Sequence, residues 1–334
     1  MVYYRHDNFK PTIMRILITG GAGFIGSHLA EALVARGHRV SIFDDLSTGS
    51  LQNIKPLLKT HRVSFKKGSV LDRKILAPLI TKSDKIFHLA AAVGVKLVVE
   101  KPLESMITNI DGTMNVLQFA LKRKVPVLIT SSSEVYGKNG SLPFREDADR
   151  VYGSAYNERW GYALSKATDE FLGLSFFREK KLPVVVVRLF NTTGPRQTGR
   201  YGMVVPRLVT QALQGEPLTI YGDGRQIRSF SYVGDIVRGM ILLMNSKRAY
   251  GQIFNLGSDE PISINGLARR IKTLTKSASS IKYISYEQAY NKTFEDMRRR
   301  VPDISKARAV VGYKPTYTLD RTLKAIIAFY RALA

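Results

Sequence analysis

The sequence predicts an α/β fold, a doubly wound parallel sheet followed by a smaller α+β lobe. Three observations carry that prediction. Through residue 190, apolar strand-like runs alternate with amphipathic helical stretches, the pattern of βαβ units. A glycine-rich turn, Gly20-Gly21-Ala22-Gly23-Phe24-Ile25-Gly26, falls between the first such run and the first such helix, the context of a Rossmann-type nucleotide-binding turn. From Asn191 onward the alternation loosens, and Gly194-Pro195, Gly222-Asp223-Gly224 and Pro302 punctuate the chain.

Taken in order, 14–19 is the first strand and ends at the glycines; 24–36 is the first helix and 39–43 the second strand. Residues 62–65 and 85–89 are the next strands, 105–123 a long helix, 125–131 a strand, 159–180 a helix and 183–190 another strand. Neither an internal repeat nor a low-complexity linker interrupts this order. The 334 residues are 44% hydrophobic, enough for one large or two modest cores and too apolar for disorder. The absence of cysteine excludes disulfides, thiolate nucleophiles and cysteine–metal sites. No run approaches the ~18 apolar residues of a membrane span. The first ten residues lack the apolar core of a secretion signal and read as a loose tail; a cytoplasmic location is the resulting expectation.

The formal net charge is +24. Such a field attracts anions, nucleic acid included. The basic residues are nevertheless spread over the whole length, with Arg298-Arg299-Arg300 the only tight run, and no nucleic-acid-binding module is recognisable. A generally cationic surface that concentrates a doubly anionic small ligand is the expectation, with no nucleic acid and no membrane as partner.

Gly20 suits the tight turn, Gly23 the approach of backbone to a pyrophosphate, and Gly26 close helix–strand packing. Phe24 and Ile25 open a helix whose free N–H groups favour phosphate. Asp44, at the end of the second strand, stands where a carboxylate bonds ribose hydroxyls and repels a 2′-phosphate, so the cofactor expected is NAD rather than NADP. Leu89, Ala90 and Ala91 at the end of the fourth strand join the cofactor set. Residues 13–190, with about 229–257, form the expected NAD-binding domain; 191–228 and 258–334 form the substrate-binding lobe, and 1–12 the tail.

On a helix, Tyr162 and Lys166 share one face. An ammonium beside a phenol favours the phenolate and lowers its pKa, which makes a base able to take a hydroxyl proton while hydride leaves the same carbon. The glycine turn, Ser131-Ser132-Ser133-Glu134-Val135-Tyr136-Gly137, Tyr162…Lys166 and Arg188-Leu189-Phe190-Asn191-Thr192-Thr193-Gly194-Pro195-Arg196 together resemble the extended short-chain dehydrogenase/reductases that remodel nucleotide sugars. The resemblance runs from about residue 14 to 320.

It implies that Tyr162 is the base on a sugar 4-hydroxyl, that Lys166 depresses its pKa and holds the nicotinamide ribose, and that Ser132 bonds the same hydroxyl. Glu134 divides the family. A carboxylate in that position resembles the sugar-nucleotide decarboxylases and 4,6-dehydratases, where a group near C5 takes or relays a proton once C4 is a ketone; the alternative is a structural hydrogen bond. Ser133-Glu134 resembles the pair of UDP-glucuronate decarboxylases and also of GDP-mannose dehydratases, whereas dTDP-glucose dehydratases pair an Asp with the Glu. Arg159-Trp160 before Tyr162 resembles the decarboxylases. Gly194-Pro195-Arg196-Gln197 and Gly199-Arg200-Tyr201-Gly202 resemble UDP-sugar 4-epimerases.

On the substrate side the resemblance assigns Ser133, Asn191 and Arg196, Tyr221 along the base, Arg228 at the diphosphate or the C5 side, and Arg299 as a second diphosphate clamp. Adenine contact falls to Ser69 or Val70, where many relatives carry an Asp; here Asp72 comes later. His88 is expected to pack rather than ligate, and no metal is expected. The reading of function is C4 oxidation of a UDP-sugar followed by decarboxylation, with 4-epimerisation next and 4,6-dehydration third. An RNA-binding or redox-sensing protein on the same fold is the non-enzymatic alternative. A homodimer through helices 105–123 and 159–180 is also implied.

Overall fold

The computed structural model describes residues 12–93, 100–199, 203–290 and 297–333. The expected tail therefore lies outside the described residues except for residue 12, as do residues 200–202 of the epimerase-like stretch.

Seven parallel strands form the central sheet: β1 (Arg15–Thr19), β2 (Arg39–Asp44), β3 (Val63–Lys67), β4 (Lys85–His88), β5 (Val127–Ser132), β6 (Val184–Leu189) and, last in sequence, residues Gln252–Leu256. Their order across the sheet is 252–256, β6, β5, β4, β1, β2, β3. The order reverses between β1 and β4, so the crevice opens beyond their carboxyl ends. Strands β5 and β6 are buried along nearly their whole length, as parallel strands covered on both faces must be.

Boundaries differ from the sequence reading for local reasons. β3 runs two residues further, through Lys66 and Lys67, which pair with Phe43 and Asp44; at a sheet edge those side chains stay in water and discourage further pairing. The long helix starts at Pro102, which occupies its first turn, where a missing N–H is harmless. The helix Arg159–Lys180 has the expected bounds.

One core lies between the sheet and the helices Phe24–Ala35 and Val233–Met244. A second packs Pro102–Leu121 and its neighbours on the other face. A third, built from Val205, Leu208, Leu218, Ile220, Leu267, Ile271, Leu323 and Ile326, belongs to the C-terminal part. There the small strands β7 (Thr192–Thr193), β8 (Leu218–Tyr221), β9 (Ile227–Ser229) and β10 (Ser231–Tyr232) precede the sheet's seventh strand, β11 (Gln252–Leu256). β9 pairs with β12 (Pro261–Ser263), and β8 with β13 (Ile281–Ile284). β9 also pairs in parallel with β14 (Arg299–Arg300), setting Arg300 opposite Arg228 and Arg299 opposite Ile227. That register shapes the site.

Candidate active site

A cavity of about 700 Å³ runs from the glycine turn across the ends of β1, β4 and β5 to the C-terminal part. Gly20, Gly23, Phe24, Ile25, Gly26, Asp44, Val70, Leu89, Ala90 and Ala91 line its first half. Gly20 has φ +70°, and a β-carbon there would stand 2.7 Å from the Ala90 amide nitrogen; a β-carbon on Gly26 would stand 2.2 Å from the Gly20 carbonyl. Both positions require glycine. No side chain caps the helix that begins at Phe24, so its first-turn amides remain available to an anion. Asp44 accepts hydrogen bonds from the Ala22 amide at 2.9 Å and the Leu46 amide at 2.8 Å. Burial raises its pKa against those bonds. Uncapped amides, a glycine cradle and a carboxylate at the end of β2 fit a dinucleotide.

Ser69 does not line this half. Its hydroxyl accepts from the Leu71 amide at 3.2 Å, a turn contact, and Gly68 and Val70 face the cavity instead. Of the two residues expected at the adenine, Ser69 or Val70, it is Val70 that faces the cavity. Arg196 is likewise not among the lining residues. Held at φ +70°, it pairs with Glu31 at 2.7 Å and reaches Ser27, bracing the first helix from outside.

Tyr162 is half-buried at the centre of the cavity. The Ser132 hydroxyl accepts from the Glu134 amide at 3.2 Å, which aims its own proton at the Tyr162 phenol, and that hydrogen bond favours the phenolate. The helix carrying Tyr162 is locked to the strands by Glu170. Its carboxylate accepts from Ser131 at 2.6 Å and from Arg188 at 2.8 and 2.9 Å. Ser131 precedes Ser132, so this buried network sets the height of the phenol against the serine.

Lys166 departs from the sequence reading. Its ammonium donates to Asp169 at 2.6 Å, with both side chains buried. The phenol's pKa is raised rather than lowered: burial is the main cause, Glu134 and Asp169 add to it, and Ser132 and Arg300 oppose it. The ammonium meets a carboxylate one turn along its own helix, so it does not act on Tyr162 as a lone cation.

Glu134 stands beside the phenol among arginines. It pairs with Arg159 at 3.2 Å and with Arg300. Burial pushes its carboxyl up, but Arg159, Arg300 and Arg228 outweigh that and bring it down to about 2. The group is ionised at neutral pH and is a weak base. Ser133, Asn191, Tyr221 and Arg228 line the cavity as expected. The Arg207 guanidinium stacks 3.7 Å from the Tyr221 ring centroid.

Arg299 is exposed and does not line the cavity, whereas Arg300 does. Side chains alternate along a strand; opposite Arg228, Arg300 shares its inward face, and Arg299 projects to the other side. The arginine run thus supplies one site residue, shifted by one from the sequence assignment. Arg300, Asp169, Gly68 and Arg207 escaped the sequence reading, although Asp169 lies three residues past Lys166 on a helix already identified. His88 is buried and hydrogen-bonded to Thr19 at 2.7 Å and Thr113 at 3.1 Å. Among the described residues, no three His, Asp or Glu side chains converge as a metal site, and no helix is long and apolar enough to cross a membrane.

With this geometry in place, a family model described as GDP-mannose 4,6 dehydratase matches residues 17–326. The chain belongs to that family. It is an extended short-chain dehydrogenase/reductase, an enzyme of the nucleotide-sugar type. It is 44% identical to a UDP-N-acetyl-alpha-D-glucosaminuronate decarboxylase of Bacillus cytotoxicus, over 96% of this chain and 98% of that protein. It is 36% identical to UDP-glucuronic acid decarboxylase 1 of Xenopus tropicalis, over 95% of this chain and 72% of that one. A UDP-glucuronic acid 4-epimerase from Bacillus cereus, solved with UDP-glucuronic acid and NAD, superposes with a TM-score of 0.86 at 30% identity, covering 96% of this chain and 100% of that chain.

Proposed function

We propose that this enzyme is an NAD-dependent decarboxylase of a UDP-linked hexuronate, of which UDP-N-acetylglucosaminuronate and UDP-glucuronate are the first candidates. One observation carries the reading: beside the Tyr162–Ser132 pair, the Glu134 carboxylate faces three guanidinium groups, those of Arg159, Arg300 and Arg228. An excess of guanidinium over carboxylate next to the reacting carbon suits a substrate bearing a carboxylate at C5 as well as a diphosphate.

Gly20, Gly23, Asp44 and Val70 would hold NAD, whose chemistry there is reversible acceptance of the C4 hydride. Tyr162 takes the proton of the 4-hydroxyl, and the Ser132 hydroxyl stabilises the phenolate. With C4 a ketone, the C5 carboxylate is that of a β-keto acid. Its C–C bond breaks with loss of CO₂, the electron pair passes into the C4–C5 enolate, and a proton then returns to C5. Glu134, low in pKa and already paired, serves this step by holding Arg159 and Arg300 in place. A 4,6-dehydration needs an acid to protonate a leaving hydroxyl, and Ser133 stands here where dTDP-glucose dehydratases pair an Asp with the Glu.

A homodimer belongs to the same proposal. Leu103, Ile107, Leu164 and Phe171 are exposed, by 72%, 42%, 41% and 60%, on two helices that pack side by side, and a twin pair of helices would cover them. The test of function is incubation with UDP-glucuronate, UDP-N-acetylglucosaminuronate, UDP-glucose, UDP-N-acetylglucosamine, dTDP-glucose and GDP-mannose, followed by NMR. The expected result is a UDP-pentose and CO₂ from a uronate. Inversion at C4 with the carboxylate retained would replace decarboxylation with epimerisation.

A further inference from the structure

We propose that Asp169 is a positioning residue of the reaction, which holds the Lys166 ammonium and thereby sets the pH range in which Tyr162 acts as base. The proposal rests on the assignment of Tyr162 as that base.

Lys166 and Asp169 are 2% and 0% exposed, and Nζ donates to Oδ2 at 2.6 Å. A carboxylate this deep needs further donors. Burial raises the Asp169 carboxyl, and the Lys166 ammonium and then the Thr113 hydroxyl, from the neighbouring helix, oppose it; Oδ1 itself makes no hydrogen bond. Thr113 also pairs with His88 Nε2 at 3.1 Å. His88 Nδ1 pairs with the Thr19 hydroxyl at 2.7 Å, whose oxygen receives the Ala90 amide at 3.3 Å. Burial pushes His88 down to about 3, with Lys166 acting in the same direction, so it remains neutral.

These contacts run from Ala90 and Thr19, beside Gly20, to Thr113. The electrostatic result of the Lys166–Asp169 contact is that Tyr162 meets an ammonium–carboxylate pair rather than a cation. The charged and titratable groups acting on this pair are Glu170 on its own helix and His88 on β4; those acting on the phenol beside it are Glu134 after β5 and Arg300 on β14. Of these, Glu134 acts on the phenol in the same sense as Asp169, and Arg300 in the opposite sense.

The test is the pH profile of kcat/KM for the full chain with NAD, using whichever of UDP-glucuronate and UDP-N-acetylglucosaminuronate it turns over. In Asp169→Asn the acid limb moves to lower pH, and at the acid end the variant exceeds the wild type by about threefold or more, the effect of half a pH unit. A limb that stays in place while kcat falls, or that moves to higher pH, overturns the proposal. Thr113→Val weakens the hold on the same carboxylate and moves the limb in the same direction by less; should Asp169→Asn fail to fold, an unmoved limb in Thr113→Val overturns the proposal instead. Tyr162→Phe separates the two readings. Full turnover in that variant removes the base itself, whereas lost turnover there with unmoved limbs in the other two removes only the role of Asp169.

Discussion

Glu134→Gln probes the electrostatics of the site through stability, independently of any substrate. The Glu134 carboxyl titrates at 4.5 in an unstructured chain and at about 2 here. That drop corresponds to ~3 kcal/mol at ~1.4 kcal/mol per pH unit, and with the side chain 15% exposed solvent screens little of it. The folded pKa is depressed, so the contribution is fully present above pH 4.5 and is lost as pH falls from there toward 2. The amide leaves Arg159 and Arg300, 5% and 14% exposed, without their buried counter-charge. For 334 residues, at ~2.1 cal/mol/K per residue, ~3 kcal/mol lowers Tm by ~4 °C. Calorimetric Tm values of wild type and variant, compared at several pH values between 7 and 3, should differ by that amount at neutral pH and converge on acidification. Equal Tm values at pH 7, or a gap that widens as pH falls, would refute the ion-pair argument.

Three further predictions concern the site and the surface. Tyr162→Phe should lower kcat by ~10²–10⁴, the range for loss of a general base, with NAD affinity in fluorescence titration little changed; a rate near wild type removes the assignment. Arg300→Ala should lower kcat/KM for a UDP-uronate by ~10–100-fold, as loss of a charge-assisted contact does, while Arg299→Ala changes it by less than about threefold; equal effects would contradict the β9–β14 register. Sedimentation should give about twice 37.4 kDa, and Leu164→Lys combined with Phe171→Glu should return it to the single-chain mass. A wild-type monomer sinks the dimer.

The sheet was legible because its signals are local. Strands buried on both faces are nearly continuous apolar runs, and Val184–Leu189 is unmistakable in the sequence. The glycine turn was legible because Gly20 and Gly26 answer steric demands within one βαβ unit. Tyr162 and Lys166 could be placed together because four residues on a helix make a shared face. The errors share one cause. Which arginine of Arg298-Arg299-Arg300 enters the site depends on pairing with β9, about seventy residues earlier in the chain. Ser69 and Arg196 sit beside cofactor-binding elements, but their polar atoms are taken by a turn amide and by Glu31.

From the sequence alone came the parallel α/β sheet, the dinucleotide turn and the Tyr–Lys helix, since each follows from spacing within one segment and the backbone geometry that spacing allows. Tertiary structure alone decided the charge state in which these groups meet. Glu134 is held ionised by arginines from three separate parts of the chain, and the Lys166–Asp169 pair is shut away from water by the elements packed over it. Coulomb interactions and burial depend on distance in space, and folding brings those groups together from far apart in the chain.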